Sequence, residues 1–329
     1  LLAASVALAQ PGAQGPLGIA MENYGYPYPV KFFSIKIANQ DVRMAYMDVA
    51  PSIGRRDSEN PNPNVPTVVL FHGKNFFGAY WKETIDELRK RGFRVVVPDQ
   101  IGFGKSSKPD IPYSFNLLAE NTKKLLDSLG IKNAAVVGHS MGGMVAIRFA
   151  LMYPEFTTKL VLENPIGLED YKEKAPAVST QKLYEQQLNQ TEEQIRSYQK
   201  KYYVEWKPAY DKYMQVPLRQ MASGEYPRLA WSAALTTQMI YEQPVCHEFS
   251  LLKPPTLLII GQQDRTAIGK DRVSPEVAAT MGNYPELGEK VAKEIPNAKL
   301  VRIDKCGHIP HFEAPEKFHA ALIEFLAGK

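Results

Sequence analysis

From residue 30 onward, short apolar runs alternate with stretches of helical periodicity. Residues 30–38 and 42–49 are extended stretches separated by Asn39, Gln40 and Asp41, which predicts an antiparallel hairpin at the start of a sheet. A polar, proline-rich loop over 51–66 follows. Residues 67–71, 94–98, 134–138, 159–163, 256–260 and 299–303 are then β-branched apolar runs of the kind that strands covered on both faces show. Between them, residues 79–91, 115–129, 141–152 and 316–326 carry apolar positions at helical spacing, the second ending on Gly130 as a C-cap. Strands alternating with helices predict a mostly parallel central sheet with helices on both faces.

The alternation breaks once. Residues 166–250 contain no buried strand, and helical periodicity covers 180–188, 192–203 and 229–241. This predicts an inserted helical cap, dividing an α/β core of residues 29–165 and 251–329. Nine of the chain's 17 tyrosines and two of its three tryptophans fall in it, the composition of a lid over a ligand cleft as well as of ordinary packing. Residues 1–28 stand apart. Leu1 to Ala9 is an apolar run too short to span a bilayer and ends on Ala7, Leu8, Ala9, the small-x-small pattern of a signal-peptidase site. That predicts a clipped signal peptide and a periplasmic or secreted protein. Residues 10–28, rich in Gly, Pro and Ala, read as a flexible arm.

Composition removes several classes. The 329 residues carry a formal charge of +4 with no basic run, so a nucleic-acid partner is not expected. Six scattered histidines and two cysteines offer no metal-binding spacing. Gly104-Lys105-Ser106 looks like the end of a phosphate loop, but that motif needs glycine where Asp99 stands, and Ser107 replaces the third glycine of a dinucleotide fingerprint. No cofactor, metal or membrane association is implied, and a small-molecule substrate is.

The chemistry concentrates at Gly138-His139-Ser140-Met141-Gly142, between an apolar run and a helix. A sharp strand-to-helix turn would lift Ser140 above the sheet, while the helix behind it directs free N–H groups at developing negative charge. Serine needs a base. His72 and His139 lie beside glycines in tight turns, His247 ends the cap and His319 falls in the last helix. His308 follows Gly307 beyond the last strand, at the sheet edge that also carries Ser140, with His311 its nearest rival. The imidazole needs a carboxylate. Asp264, four residues past the run 256–260, is the first choice, and Glu163, at the end of 159–163, is the alternative. Cys246 and Cys306 would be either a pair or two separate thiols.

With these residues in place the sequence, from about residue 30 to its end, resembles the α/β-hydrolase superfamily. His72-Gly73 resembles the family's oxyanion turn. Pro98-Asp99-Gln100-Ile101-Gly102-Phe103-Gly104-Lys105-Ser106 resembles its segment after the next strand, and Gly307-His308-Ile309-Pro310 its histidine loop. The resemblance implies an α/β-hydrolase fold, the triad order Ser140, Asp264, His308, and an oxyanion hole from the backbone N–H groups of Lys74 and Met141, with Asn75 as a substitute for Lys74. Serine at position 140 disfavours the related haloalkane dehalogenases and epoxide hydrolases, which attack with aspartate. The expected activity is hydrolysis of an apolar or aromatic carboxylic ester. Hydrolysis of a carbon–carbon bond in a vinylogous diketone, as meta-cleavage product hydrolases perform it, is the second reading, and a silent ligand-binding protein of the same fold is the third.

Overall fold

The computed structural model describes residues 15–52 and 65–328. Leu1 to Ala9, read above as a signal peptide, lies outside the described residues. The sheet has eight strands in the order β1-β2-β4-β3-β5-β6-β7-β8. They are β1 Val30–Ile37, β2 Gln40–Val49, β3 Thr67–Phe71, β4 Arg94–Pro98, β5 Ala134–His139, β6 Thr157–Glu163, β7 Thr256–Gly261 and β8 Ala298–Ile303. β2 runs antiparallel to both its neighbours, and every pair from β4 to β8 is parallel. The hairpin turn is tighter than the sequence pattern suggests. Ala38 and Asn39 both take positive φ, 47° and 61°, and Ile37 pairs with Gln40. Such a two-residue turn matches the twist of the strands it joins, which is why Gln40 and Asp41 are absorbed into β2.

Among the described residues the eleven α-helices are α1 Lys82–Lys90, α2 Phe115–Ser128, α3 Met141–Met152, α4 Thr180–Leu188, α5 Glu192–Lys200, α6 Asp211–Met221, α7 Tyr226–Glu242, α8 Pro275–Ala279, α9 Tyr284–Glu294, α10 Pro310–Glu313 and α11 Pro315–Ala327. Strand periodicity sorts the core into two layers. Val69, Phe71, Val96, Val136, Leu160 and Leu258 pack with α2, α3 and α9. The residues alternating with them, Val68, Leu70, Val95, Val137, Val161 and Leu257, pack with α1 and α11. A sheet covered on both sides must be apolar at consecutive positions, and β3, β4, β5 and β7 are buried throughout. Helices α4 to α7 form one excursion between β6 and β7. α6 contains Pro217 at an interior position.

The expectation of a free arm over residues 10–28 is corrected for its described part. Leu17 and Met21 are each 1% exposed, in the core layer of α1 and α11. The Leu17 amide donates to the Arg219 carbonyl (3.0 Å), the Ile19 amide to Glu225 Oε2 (3.1 Å), and Arg219 Nε to the Gly15 carbonyl (2.9 Å). On the other side Lys105 Nζ donates to the Met21 carbonyl, Tyr26 Oη to Asp99 (2.6 Å) and Tyr28 Oη to Asp86. The segment therefore ties the helical excursion to the sheet domain. Leu17→Ala should lower unfolding stability by about 2 to 4 kcal/mol, the usual range for removing a buried leucine side chain. Urea denaturation checks this, and an unchanged midpoint would show that the segment is not seated in solution.

Candidate active site

Ser140 occupies the turn between β5 and α3 with φ 56° and ψ −123°, a strained conformation for a residue bearing a side chain. Two glycines permit it. A methyl group at Gly138 would lie 2.2 Å from the Gly142 carbonyl oxygen, and one at Gly142 would lie 2.2 Å from that of Phe71. The sequence pattern therefore reflects backbone packed against backbone on both sides of the serine. Ser140 is 7% exposed.

His308 lies beyond β8 and its Nε2 is 2.9 Å from Ser140 Oγ, while its Nδ1 is 2.7 Å from Asp264 Oδ2. The carboxylate can only accept, so Nδ1 carries the proton and Nε2 is left as acceptor for the serine hydroxyl. Asp264 also accepts from Asn164 Nδ2 (2.7 Å) and from the Thr266 amide (2.8 Å). Burial raises its pKa, but the facing imidazole and these donors outweigh that and hold the carboxyl below its ordinary value. Asn164 in turn accepts from the Gly261 amide (2.9 Å) and takes φ 37°, a conformation asparagine tolerates well. It is a positioning residue that sequence reasoning missed. Its place directly after the strand end at Glu163 was the available signal.

Glu163, the alternative acid, serves the rival histidine. His311 donates to it from its amide (2.8 Å) and from Nδ1 (2.8 Å), and the imidazole stacks on Trp81 at 4.4 Å. The two carboxylates and two imidazoles thus sort into separate pairs, and only Asp264 with His308 reaches the serine. His72 and His139 hold loops. The Gln100 amide donates to His72 Nε2 (3.0 Å), so Nδ1 carries the proton and donates to the Gly73 carbonyl (2.9 Å). His139 Nε2 donates to the His308 carbonyl (2.8 Å), and its Nδ1 accepts from Tyr80 Oη (2.9 Å), which accepts from the Gly73 amide (3.0 Å). A buried line of hydrogen bonds therefore joins the turn at Gly73 to the backbone of His308. His247 bonds Asp170 (2.9 Å) at the surface, and His319 meets Thr84 (3.1 Å).

The turn after β3 faces the serine: a methyl group at Gly73 would come within 3.1 Å of Ser140 Cβ. The Gly73 carbonyl is held by His72 and by the Phe76 amide (3.1 Å). In a trans peptide the following N–H points the opposite way, so the Lys74 amide is directed away from those donors. Met141 opens α3, where an amide has no carbonyl one turn earlier to serve. Asn75 instead donates from Nδ2 to Tyr202 Oη (2.7 Å). From the helical excursion, the ring of Tyr202 stacks on the His308 imidazole at 4.9 Å, and its carbonyl accepts from the His308 amide (2.7 Å). His308 is 1% exposed under it.

Both cysteines are free thiols, Cys306 buried and Cys246 half-buried. Among the described residues no cluster of three His, Cys, Asp or Glu side chains is placed to hold a metal ion, and no helix is long and apolar enough to cross a membrane.

Burial holds His139 at about 3 and His319 at about 4, lowers His72, and keeps His311 well below its ordinary value, while it lifts Glu163 to about 7. Below about pH 6.5 an unfolded chain protonates all four imidazoles more readily than the native state does. Glu163 works in the opposite sense, since between its ordinary value and about 7 only the native state holds its proton. The unfolded state gains more protons on balance, so stability falls on acidification, by about 1.4 kcal/mol per pH unit for each net proton. Denaturation at pH 5.5 should show roughly 3 kcal/mol less stability than at pH 7.5. Equal stability at the two values would mean that these imidazoles are not neutral in the native state.

Eight strands with one antiparallel member, a serine on the turn after β5 and a histidine beyond β8 define the α/β-hydrolase class, and the model of the alpha/beta hydrolase fold family matches residues 66–315. The chain belongs to that family and is a hydrolase. It is 28% identical to a 2-hydroxy-6-oxononadienedioate/2-hydroxy-6-oxononatrienedioate hydrolase of Paraburkholderia phymatum, over 79% of this chain and 86% of that protein. It is 26% identical to a 2-hydroxy-6-oxo-6-phenylhexa-2,4-dienoate hydrolase of Burkholderia cepacia, over 79% and 87%. A crystal structure of a probable hydrolytic enzyme from Pseudomonas aeruginosa PAO1, 44% identical, superposes with a TM-score of 0.89 over 94% of this chain and 98% of the other.

Proposed function

We propose that the chain is a serine hydrolase that cleaves a carboxylic ester through an acyl-enzyme. The observation that carries this reading is the unbroken line from Asp264 through His308 to Ser140, at 2.7 and 2.9 Å. Ser140 Oγ attacks the carbonyl carbon as its proton passes to His308 Nε2, and the negative oxygen faces the Lys74 and Met141 amides. On collapse the C–O bond breaks and the leaving alkoxide takes the proton from Nε2. Water then attacks the acyl-enzyme, giving its proton to His308, which returns it to Ser140 as the acid departs. Asp264 stays ionised throughout and stabilises the imidazolium. In this reading the excursion between β6 and β7 is a cap, and Tyr202 shields the imidazole from water.

The names of the curated relatives favour a second reading, cleavage of a carbon–carbon bond in a vinylogous diketone by the same three residues. A 4-nitrophenyl ester, 2-hydroxy-6-oxo-6-phenylhexa-2,4-dienoate and a fluorophosphonate probe separate the two. Ester turnover with labelling of Ser140 supports the esterase. Labelling with turnover of the dienoate alone supports the carbon–carbon hydrolase, and neither labelling nor turnover would sink both.

A further inference from the structure

Glycine at position 73 leaves the turn after β3 with two peptide planes that no side chain of its own steers, and hydrogen bonds pin both. Its carbonyl is held by His72 Nδ1 and the Phe76 amide. Its amide is held by Tyr80, whose hydroxyl oxygen accepts at 3.0 Å. Holding one plane alone would leave the other free to turn about the glycine. Holding both sets φ and ψ there, and with them the direction of the next N–H, that of Lys74. Tyr80 has little room to move. It is 1% exposed, its ring stacks on Phe76 at 4.9 Å, and it meets Trp81 and His311 edge-on, each at 4.8 Å.

The same hydroxyl serves the other half of the site. His139 Nε2 faces the His308 carbonyl at 2.8 Å and must donate to it, so Nδ1 is left as an acceptor and takes a hydrogen bond from Tyr80 Oη at 2.9 Å. Burial holds His139 at about 3 and lifts the Tyr80 hydroxyl well above its ordinary value, so near neutral pH the imidazole is uncharged and the phenol keeps its proton. The line from the Gly73 amide through Tyr80 and His139 to the His308 carbonyl therefore has one polarity, and each link orients the next. The His308 amide is held in turn by the Tyr202 carbonyl (2.7 Å). The backbone that carries the imidazole is thus fixed from both sides.

We propose that Tyr80 is a positioning residue for acyl transfer: through Gly73 and His139 its hydroxyl sets the aim of the Lys74 amide against the His308 imidazole. This rests on the serine-hydrolase reading and adds to it a share of the rate carried by a side chain that meets neither substrate nor reacting atoms. An oxyanion donor is worth most once charge has developed on the carbonyl oxygen, and much less while the substrate is merely bound. Loss of the Tyr80 hydroxyl should therefore appear in kcat and leave KM nearly unchanged. Deleting such a donor costs about 10²- to 10³-fold, and misaiming it costs part of that.

Tyr80→Phe keeps the ring and its stacking and removes the hydroxyl alone. Turnover is measured on whichever of the 4-nitrophenyl ester and the dienoate the wild type accepts, and kcat is divided by the sites counted at the end point of fluorophosphonate labelling, which leaves out unfolded protein. Per-site kcat should fall by about 10- to 100-fold, with KM within about twofold of the wild type. His139→Leu cuts the next link, and the double variant should be no slower than the slower single one, because the two residues act as a unit. A wild-type per-site kcat in Tyr80→Phe, a loss confined to KM, or losses that multiply in the double variant overturns the proposal. Should Tyr80→Phe give no labelled protein, His139→Leu decides by the same kcat and KM. If the wild type itself neither labels nor turns over either substrate, the serine-hydrolase reading has failed and the proposal falls with it, whereas every other outcome leaves that reading standing.

Discussion

On the proposed serine-esterase reading, alanine at position 140 should reduce ester turnover by ~10⁴-fold or more and abolish fluorophosphonate labelling, with the urea midpoint close to that of the wild type. The size follows from the arrangement. Among the described residues Ser140 Oγ is the oxygen that His308 Nε2 bonds, so without it the base activates nothing that is bonded to the enzyme. What survives is the catalysis that two amides and a bound substrate supply without a covalent step. Stopped-flow measurement of the first turnover is decisive, because a burst of nitrophenol persisting in Ser140→Ala would place the nucleophile elsewhere.

The second large effect is expected at the acid. Asp264→Asn keeps the shape but offers His308 an amide that can present its N–H, favouring the wrong tautomer, and should lower kcat by ~10³- to 10⁴-fold. Glu163→Gln is the informative partner. It alters a pair that hydrogen-bonds none of the three triad side chains and meets Ser140 through backbone, the Ser140 amide donating to the Glu163 carbonyl (3.1 Å), so its main effect should fall on stability. If Glu163→Gln proved the more damaging to kcat, the acid would have been assigned to the wrong strand.

These two carboxylates also show how far a sequence can be read. Strands β3, β4 and β7 were legible to within a residue because burial on both faces leaves no polar position to blur their ends. Ser140 and His308 were legible because glycines and loop position mark them. Between Asp264 and Glu163 nothing in the pattern decides, since each follows a parallel strand at the same sheet edge. Only the pairing with two different imidazoles separates them. Helix α6 escaped because Pro217 interrupts its pattern, although tertiary packing buries Tyr213, Met214, Val216 and Leu218 regardless. Asn164, Tyr80 and Tyr202 escaped for another reason. Their partners lie 100, 59 and 127 positions away, and no local periodicity encodes a contact of that range. The glycine-, proline- and alanine-rich composition of residues 10–28 pointed to freedom, while Leu17, Ile19 and Met21 in its described part are buried.

That seating has a consequence for biosynthesis. The partner of the Ile19 amide, Glu225, is 206 residues further along the chain. At a ribosomal rate of 5 to 20 residues per second, Glu225 is polymerised about 10 to 40 s after Ile19. Throughout that interval the segment around Ile19 has no docking site to occupy, so the contacts that hold it are among the late ones to form.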